Sequence, residues 1–231
     1  MSQVFQDLSK VAFVGFGEAG HAFASGWEQP EGLAIAAYDL KLLSKSTEEQ
    51  VLERCRDAKV TPAADASEAL AGAELVFSLV TADQALDAAK AAAPHLRAGA
   101  LWLDCNSCAP QTKQKAAILV EAAGGRYVDV AVMAPVYPKR HQVPLLLAGP
   151  HAEETAGLLE RHRMRPKLTG SKVGDASSVK MLRSVVIKGL EALTTECLLA
   201  GRRAGVEDAV LASLQASDPG IAWRGRGAYN L

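Results

Sequence analysis

The sequence KVAFVGFGEAGHAFASGW, residues 10–27, joins a predicted strand to a predicted helix through a glycine-rich turn. Val11–Val14 is a short apolar run with β-branched ends, which predicts a buried strand. Gly15-Phe16-Gly17-Glu18-Ala19-Gly20 follows without a gap and fits the pattern G-x-G-x-x-G. Strand, turn and helix therefore stand in the order that a dinucleotide-binding fingerprint requires. Small and apolar residues recur at helical spacing after the turn, at Ala19, Ala22, Phe23, Gly26 and Trp27.

The three glycines of this turn have separate expected tasks. Gly15 allows a tight turn out of the strand, Gly17 removes a side chain where backbone approaches a pyrophosphate, and Gly20 lets the helix pack closely on the strand. The first helical N–H groups and the helix dipole would then face the phosphates. The alternative is an ordinary glycine-rich turn between a strand and a helix.

An acidic residue at the end of the next strand is the second part of the fingerprint. Leu33–Asp39 supplies it, because this apolar run ends in an acid about 20 residues after the glycine turn. Asp39 favours NAD, since a carboxylate accepts hydrogen bonds from ribose hydroxyls and repels a 2′-phosphate, whereas Lys41 softens that preference and leaves NADP possible. The predicted cofactor residues here are Gly15, Phe16, Gly17, Glu18, Ala19, Gly20 and Asp39.

Length and charge restrict the class of protein. The 231 residues carry a formal net charge of −1, so no basic excess points to a nucleic acid or a membrane surface as a partner. The longest apolar runs are too short to span a bilayer. The first ten residues, MSQVFQDLSK, lack the basic start and apolar core of a secretory signal. We therefore expect a soluble cytoplasmic protein that acts on a small molecule.

Four cysteines, Cys55, Cys105, Cys108 and Cys197, do not predict a disulfide framework in a chain of this size. Cys105 and Cys108 form a C-x-x-C motif, which leaves a redox pair or half of a metal site as alternatives. The sequence contains no second C-x-x-C, and His95 is the only histidine nearby. The favoured interpretation is two small residues packed at the end of a strand, without a metal.

Predicted strands and helices alternate up to residue 132, which predicts an α/β fold with a doubly wound, mostly parallel sheet. Ser46–Glu49 reads as a capping box for one of the helices. The later predicted strands are Leu33–Asp39, Lys59–Thr61, Glu74–Val80, Ala100–Asp104 and Arg126–Val132. Ligands of such sheets bind beyond the carboxyl ends of the strands. The further candidates at strand ends are therefore Val80 and Thr81 for the cofactor, with Asn106, Ser107 and the segment after Val132.

The pattern changes after residue 132. Val132–Lys139 contains two prolines and predicts an irregular segment. The elements predicted beyond it are a strand at Pro144–Ala148, a helix at Ala152–Arg163, an extended piece at Pro166–Thr169, a long helix at Asp175–Ala204 and a helix at Glu207–Gln215. We therefore divide the chain into a dinucleotide-binding domain at residues 1–172 and a helical domain at residues 173–231.

Lys180, on the first turns of the long predicted helix, is the second candidate site. Ser184 and Glu191 follow it at i+4 and i+11, so the three side chains share one helix face, and Lys188 lies near that face. A lysine on a mostly apolar helix is usually a snorkelling surface residue, and a catalytic role is the alternative.

Three motifs occur in a fixed order: GFGEAG at residues 15–20, DCNSCAP at residues 104–110 and GDASSVK at residues 174–180. In these motifs the chain resembles the β-hydroxyacid dehydrogenase family, the group of 3-hydroxyisobutyrate and 6-phosphogluconate dehydrogenase-like enzymes, over nearly its whole length. The resemblance implies a Rossmann domain and an all-helical domain joined by a long helix, with substrate and nicotinamide meeting at the domain boundary. It also implies that Lys180 is the catalytic lysine and that Asn106 and Ser107 contact the substrate.

The chain departs from this family on the substrate side. Met133-Ala134-Pro135 stands where the family has a small Ser-Gly-Gly loop, and Ser184 replaces an asparagine. Ile187 stands where the decarboxylating members have an acid, which argues against decarboxylation of 6-phosphogluconate. Arg183 could instead bind a substrate carboxylate through its guanidinium group, and the alternative interpretation is an ordinary surface residue. The pattern resembles an uncharacterised branch of the family, and the chain looks shortened at its C-terminus, with a helical domain that a partner chain would complete.

The expected function is hydride transfer between NAD(P) and a small hydroxy acid or related alcohol, with Lys180 as general acid and base. A lysine acts so near neutral pH only if burial or a neighbouring cation lowers its pKa, and Lys188 and Arg183 are the candidate cations. The alternatives are imine reduction, and an NAD(P)-binding sensor or scaffold without catalysis. A homodimer through the helical domain is expected. The predicted substrate residues are Asn106, Ser107, Met133, Arg183 and Ser184.

Overall fold

The computed structural model describes residues 8–27 and 32–228. The chain forms two compact units, one ending at Ser178 and the other beginning at Val179. The predicted functional domains, divided after residue 172, stay a prediction. The last three residues, 229–231, lie outside the described residues.

One eight-stranded sheet forms the centre of the first unit. The order across the sheet is β3-β2-β1-β4-β5-β6-β7-β8, and neighbouring strands are parallel except β6 and β7. The predicted doubly wound, mostly parallel α/β sheet is therefore confirmed, with β3 and β8 at its two edges. The strands are β1 (Lys10–Val14), β2 (Ala34–Tyr38), β3 (Thr61–Pro62), β4 (Leu75–Ser78), β5 (Leu101–Asp104), β6 (Arg126–Val132), β7 (Pro144–Ala148) and β8 (Arg165–Gly170).

Helices cover both faces of the sheet, and β1 shows why its sequence is a continuous apolar run. Val11 and Phe13 belong to a core formed with α1, α2 and α6, whereas Ala12 and Val14 belong to a core formed with α3, α4 and α5. Both faces of the strand are therefore buried. These helices are α1 (Glu18–Gly26), α2 (Glu48–Asp57), α3 (Ala66–Leu70), α4 (Ala85–Ala92), α5 (Pro110–Ala122) and α6 (Ala152–Arg161).

The strand order reverses next to β1, and this places the ligand crevice. The chain leaves β1 through α1 to β2 on one side, and later returns to β4 on the other side of β1. In open α/β sheets, ligands bind at such a switch point, outside the carboxyl ends of the strands. Val14 lies between Tyr38 and Ser78 in register, so the turns after these three residues surround the crevice.

Two local predictions are wrong. Ser46–Glu49 forms no capping box, because Thr47 is the N-cap of α2 and gives its hydroxyl to the carbonyls of Lys41 and Ser44, at 2.8 and 3.3 Å. The third strand is Thr61–Pro62 and not Lys59–Thr61. Lys59 has φ of 54°, in the left-handed region, which ends the helix and is incompatible with a strand.

The long predicted helix is confirmed as α7 (Asp175–Ala204), and the division between the two units lies within it. It is followed by α8 (Glu207–Ser217) and α9 (Trp223–Ala228). Gly205, with φ of 73°, ends α7 as a left-handed glycine does. Among the residues that the structure describes, none of the helices is long and apolar enough to cross a membrane.

Candidate functional site

The turn after β1 requires glycine at position 15. Gly15 has φ of 86°, in the left-handed region, and its N–H donates to the Tyr38 carbonyl at 2.8 Å. A Cβ at this position would lie 2.5 Å from the Leu79 carbonyl oxygen. Any side chain would collide with the backbone that follows β4, so the two turns approach each other through this glycine.

Gly17 and Gly20 serve α1 in different ways. Gly17 is the N-cap of α1, and a Cβ there would meet nothing within 4 Å. Since this N-cap has no side chain, the first N–H groups of the helix and its dipole are open to an anion. At Gly20 a Cβ would lie 3.1 Å from the Gly15 carbonyl oxygen, so the helix packs closely on the turn.

Asp39, directly after β2, ties two backbone segments together with its carboxylate. Its Oδ2 accepts a hydrogen bond from the Phe16 N–H at 2.7 Å, and its Oδ1 accepts one from the Lys41 N–H at 2.9 Å. The Phe16 N–H therefore donates its hydrogen bond within the turn, and the Phe16 ring is buried against the Phe13 ring. The negative charge after β2 is thus fixed in place by the fold itself.

A cleft of about 850 Å³ opens at the carboxyl ends of β1, β2 and β4. A glycine turn, an open helix N-terminus and a fixed carboxylate on one cleft fit a dinucleotide. The structure brings five predicted cofactor residues into its lining, namely Gly15, Gly17, Asp39, Val80 and Thr81. The lining does not include the other four, Phe16, Glu18, Ala19 and Gly20. Contact of all nine with a cofactor stays a prediction.

Polar residues that the sequence analysis missed also line this cleft. Asp65 accepts hydrogen bonds from the Ser67 hydroxyl at 2.6 Å and the Glu68 N–H at 2.9 Å, and these two bonds hold the pKa of the Asp65 carboxyl below its ordinary value. The available signal was its position after β3, where ligand-binding residues are expected as after any other strand. The missed polar residues are Asp65, Ser67, Gln84, Asp87 and His95.

Asn106, a predicted substrate residue, is buried and bonded to the segments after two strands. Its Nδ2 donates to Ser78 Oγ at 2.9 Å and to Asp104 Oδ1 at 2.8 Å, and its Oδ1 accepts from the Val80 N–H at 2.7 Å. The amide thus holds the segments after β4 and β5 together. Ser107 is exposed. Contact of either residue with a substrate stays a prediction.

A buried lysine, also missed by the sequence analysis, lies at the carboxyl ends of β5 and β6. Lys113 of α5 donates from Nζ to the carbonyls of Asp104 and Val130, at 2.7 and 2.8 Å, and forms an ion pair with Asp129 Oδ1 at 2.8 Å. Burial opposes its charge, but the Asp104 and Asp129 carboxylates hold the pKa of Lys113 above its ordinary value. Tyr127 donates to Asp104 Oδ2 at 2.6 Å, and its burial beside that carboxylate raises the pKa of Tyr127.

The C-x-x-C pair is buried after β5. Burial, together with the nearby Asp104 carboxylate, raises the pKa of the Cys108 thiol to about 11. The thiol is therefore protonated at neutral pH and is a poor nucleophile, which supports the packing interpretation of the pair. Residues 8–27 and 32–228 contain no group of three or more His, Cys, Asp or Glu side chains that could hold a metal ion.

Met133 begins the loop in which the sequence departs from its family resemblance. Its N–H donates to the Pro144 carbonyl at 2.9 Å, which continues the pairing of β6 with β7. Its side chain packs against the alanine cluster of Ala131, Ala148 and Ala176. Contact of Met133 with a substrate stays a prediction.

The remaining predicted residues lie on α7 in the second unit. Lys180 is half-buried, and the Ser184 hydroxyl donates to the Lys180 carbonyl at 2.7 Å. Arg183 is exposed. Lys188 Nζ lies 3.3 Å from Glu191 Oε2, so this candidate cation is paired with a carboxylate. The catalytic role of Lys180 and the substrate contacts of Arg183 and Ser184 stay predictions.

Comparison with known proteins adds a family match and two close structures. Residues 10–156 match the family described as the NAD binding domain of 6-phosphogluconate dehydrogenase. The structure of a conserved hypothetical protein from Sinorhizobium meliloti 1021 is 39% identical, over 95% of this chain and 73% of that chain, with a TM-score of 0.78. The conserved protein MTH1747, of unknown function and structurally similar to 3-hydroxyacid dehydrogenases, is 34% identical, over 94% of this chain and 79% of that chain, with a TM-score of 0.74.

A more distant structure shares the fold. The 3-hydroxyisobutyrate dehydrogenase of Mycobacterium tuberculosis, solved with L-serine, is 17% identical, over 94% of this chain and 72% of that chain, with a TM-score of 0.76. At this identity the likeness establishes the architecture and not the substrate.

Proposed function

Because the chain belongs to the family of the NAD binding domain of 6-phosphogluconate dehydrogenase, as its motifs predicted, we propose that it transfers a hydride between NAD(P) and a small hydroxy acid or related alcohol. The family match gives NAD(P) as the cofactor. The observation that carries the proposal is the cleft beside Gly15 and Gly17, which Asp39 also lines. This cleft combines an open helix N-terminus for a pyrophosphate with a carboxylate for a ribose.

In this proposal the residues of the chain hold the reactants and move one proton. The nicotinamide ring, when bound, supplies a hydride acceptor or donor. As the C–H hydride leaves the substrate alcohol, its hydroxyl proton passes to the neutral amine of Lys180, and the reverse reaction returns that proton. Both Nδ2 hydrogens of Asn106 are already donated, so its Oδ1 accepts from the substrate hydroxyl or a neighbouring polar group. Ser107 contacts the same group, and Arg183 pairs with a substrate carboxylate.

Two rival functions would use the same cleft. Imine reduction would proceed by the same hydride transfer, and Lys180 argues against it. An NAD(P)-binding sensor or scaffold would bind the cofactor without turnover, which the departure at Met133-Ala134-Pro135 leaves open.

A cofactor-reduction assay over a panel of hydroxy acids and alcohols tests the proposal. We expect formation of reduced nicotinamide with at least one hydroxy acid. NADH fluorescence titration, run in parallel, reports cofactor binding without turnover. Oxidation of NAD(P)H by cyclic imines alone would favour the first rival, and tight NADH binding without turnover on either panel would favour the second.

Asp39→Asn is expected to raise the affinity for NADPH relative to NADH by about tenfold, because it removes a charge that repels a 2′-phosphate. The asparagine keeps one oxygen for the Phe16 N–H and loses the bond from the Lys41 N–H, so its contact with the glycine turn is preserved. Fluorescence titration with both reduced cofactors gives the ratio of affinities. Glu121→Gln, an exposed carboxylate outside the cleft lining, is the matched control. A ratio in Asp39→Asn equal to that of the wild type would exclude this role for the carboxylate.

We propose that the second unit forms a homodimer through an apolar face of α7. This face consists of Leu182, Val185, Val186 and Leu193, which are 71%, 71%, 61% and 66% exposed. Their spacing places them on one side of the helix. A contiguous exposed apolar face needs a partner, and a second copy of the chain presents the same face by two-fold symmetry.

Val185→Asp is expected to convert this dimer into a monomer, because it would place a carboxylate within an apolar interface. Size-exclusion chromatography with light scattering measures the mass, which should fall from two chains to one. Arg203→Asp puts the same side chain on an exposed polar position of α7 and should leave the dimer intact. A monomeric wild type, or a dimeric Val185→Asp, would contradict the proposal.

We also propose a cytoplasmic location. All four cysteines are thiols and not disulfides in the described structure, which is the state that a reducing compartment maintains.

A further inference from the structure

We propose that Lys113 is a positioning residue, which holds the start of α7 and the segments after β4 and β5 in one arrangement at the carboxyl edge of the sheet. It acts through two buried carboxylates, and Lys113, Asp104 and Asp129 together are called the buried clasp. The consequence for turnover rests on the proposed function, because α7 carries Lys180 and the segment after β5 carries Asn106.

Lys113 holds three points at once, two main-chain carbonyls through its N–H donors and the Asp129 carboxylate through its charge. Nζ lies 2.7 Å from the Asp104 carbonyl oxygen, 2.8 Å from the Val130 carbonyl oxygen and 2.8 Å from Asp129 Oδ1. These acceptors belong to β5 and β6, which are neighbours in the sheet. The side chain is 0% exposed, so every donor is directed to the protein and none to bulk water.

Asp129 connects Lys113 to the start of α7. Its Oδ1 pairs with Lys113, while its Oδ2 accepts from the Gly174 N–H at 3.0 Å, the Ser177 N–H at 3.1 Å and the Ser177 hydroxyl at 3.2 Å. A carboxylate at a helix N-terminus also complements the helix dipole. Ser177 and Lys180 are three residues apart and share a face of α7. Holding Ser177 on Asp129 therefore sets the rotation of the helix about its axis in the turn before Lys180.

Asp104 connects Lys113 to the segments after β4 and β5. Its Oδ1 accepts from the Asn106 N–H at 3.0 Å and from Asn106 Nδ2 at 2.8 Å. Asn106 Oδ1 in turn accepts from the Val80 N–H at 2.7 Å, and Val80 lines the cleft. A series of contacts thus runs from Lys113, whose Nζ lies 3.8 Å from Asp104 Oδ1, through Asn106 to Val80 in one wall of the cofactor cleft.

The charges of the clasp favour a positioning role over a stabilising one. A buried ion pair often stabilises a fold no more than well-packed apolar residues of similar size would. It differs from an apolar core in its directional bonds, which accept one arrangement of donors and acceptors. Apolar side chains at these three positions would support the sheet without specifying how α7 begins.

Lys113→Met tests the proposal, since methionine is unbranched and nearly as long but carries no charge. Lys115→Met, on an exposed position of the same helix, is the matched control. We expect Lys113→Met to lower kcat by at least about tenfold, because small misplacements of catalytic groups are costly. The NADH dissociation constant should change by less than about threefold, because the clasp reaches the cleft through Val80, whereas Gly15, Gly17 and Asp39 are held by bonds outside the clasp. Amide hydrogen exchange of residues 174–178 should become faster, while that of β1 stays as in the wild type.

Two further variants keep the test decisive if Lys113→Met folds poorly. Asp129→Asn keeps the size of the side chain and one oxygen, and removes the charge that pairs with Lys113. The double variant Lys113→Met with Asp129→Leu removes both members of the shorter ion pair, while the Asp104 carboxylate keeps its hydrogen bonds from Tyr127 and Asn106. We expect both to be folded and both to show the lowered kcat and the faster exchange at residues 174–178.

Wild-type kcat together with wild-type exchange at residues 174–178, in whichever of these variants folds, would overturn the proposal. A parallel fall of kcat and NADH affinity with faster exchange in β1 would also overturn it, because that combination indicates a general loss of structure. The exchange measurement needs no substrate. A wild-type protein without turnover would therefore refute the proposed function alone, while faster exchange at residues 174–178 would still support the clasp and unchanged exchange would still refute it.

Discussion

Lys180→Ala is expected to lower kcat by about 10²- to 10⁴-fold, the range that a positioned general acid and base contributes. The change removes the amine that we propose receives the substrate hydroxyl proton. It leaves the residues of the cofactor cleft, which belong to the first unit, unchanged. The NADH dissociation constant should therefore stay within about threefold of the wild-type value. Steady-state kinetics with the best substrate of the panel and NADH fluorescence titration measure the two quantities.

Two variants support the interpretation of that result. Lys180→Arg keeps the positive charge but does not release a proton near neutral pH, so it should be as inactive as Lys180→Ala. Lys167→Ala, which removes an exposed lysine of β8, should keep wild-type turnover. Wild-type turnover in Lys180→Ala would exclude the proposed role of this lysine.

Gly17→Leu is expected to raise the NADH dissociation constant by about a hundredfold or more, a loss of about 2.7 kcal/mol in binding free energy, without unfolding the protein. Gly17 lines the cleft at the N-terminus of α1, where a leucine side chain would compete with the cofactor for space. The backbone tolerates the change, because φ at Gly17 is −78° and a Cβ would meet no atom within 4 Å. Fluorescence titration measures binding, and thermal denaturation measures folding.

Gly157→Leu is the matched control for Gly17→Leu. Gly157 lies on α6, outside the cleft, and a Cβ there would approach Arg161 no closer than 3.9 Å. The control should bind NADH as the wild type does. If Gly17→Leu also binds NADH with wild-type affinity, the cofactor does not pass over the start of α1.

The fold could be predicted wherever strong patterns lie between clear breakers. The bounds of β6 and α7 were predicted to the residue, because Gly124-Gly125 precede β6, Gly174 and Gly205 flank α7, and α7 contains no proline. The prediction misplaced the short β3. It relied on the apparent strand preference of Lys59–Thr61, but Lys59 has a left-handed φ, which excludes it from a strand. The capping box failed for a similar reason, because Thr47 bonds back to the preceding turn instead of to α2.

The part of the site formed by residues close together in the sequence could be predicted. The glycine turn and Asp39 stand at fixed spacing, so a motif describes them completely. The buried clasp depends on contacts between residues far apart in sequence, and Lys113 in the polar stretch QTKQK reads as a surface lysine. The usable signal was indirect: Asp104 and Asp129 end or interrupt apolar strands, and a buried charge requires a partner.

The two outer strands of the sheet have a consequence for self-association through backbone pairing. β3 contains Pro62 and β8 contains Pro166, and a proline has no N–H with which to recruit an added strand. Exposed Arg165 and Lys167 of β8 further oppose the approach of a second copy along that border. Fibrillar growth by edge-to-edge addition is thus disfavoured at both ends of an eight-stranded sheet that would otherwise be an open template.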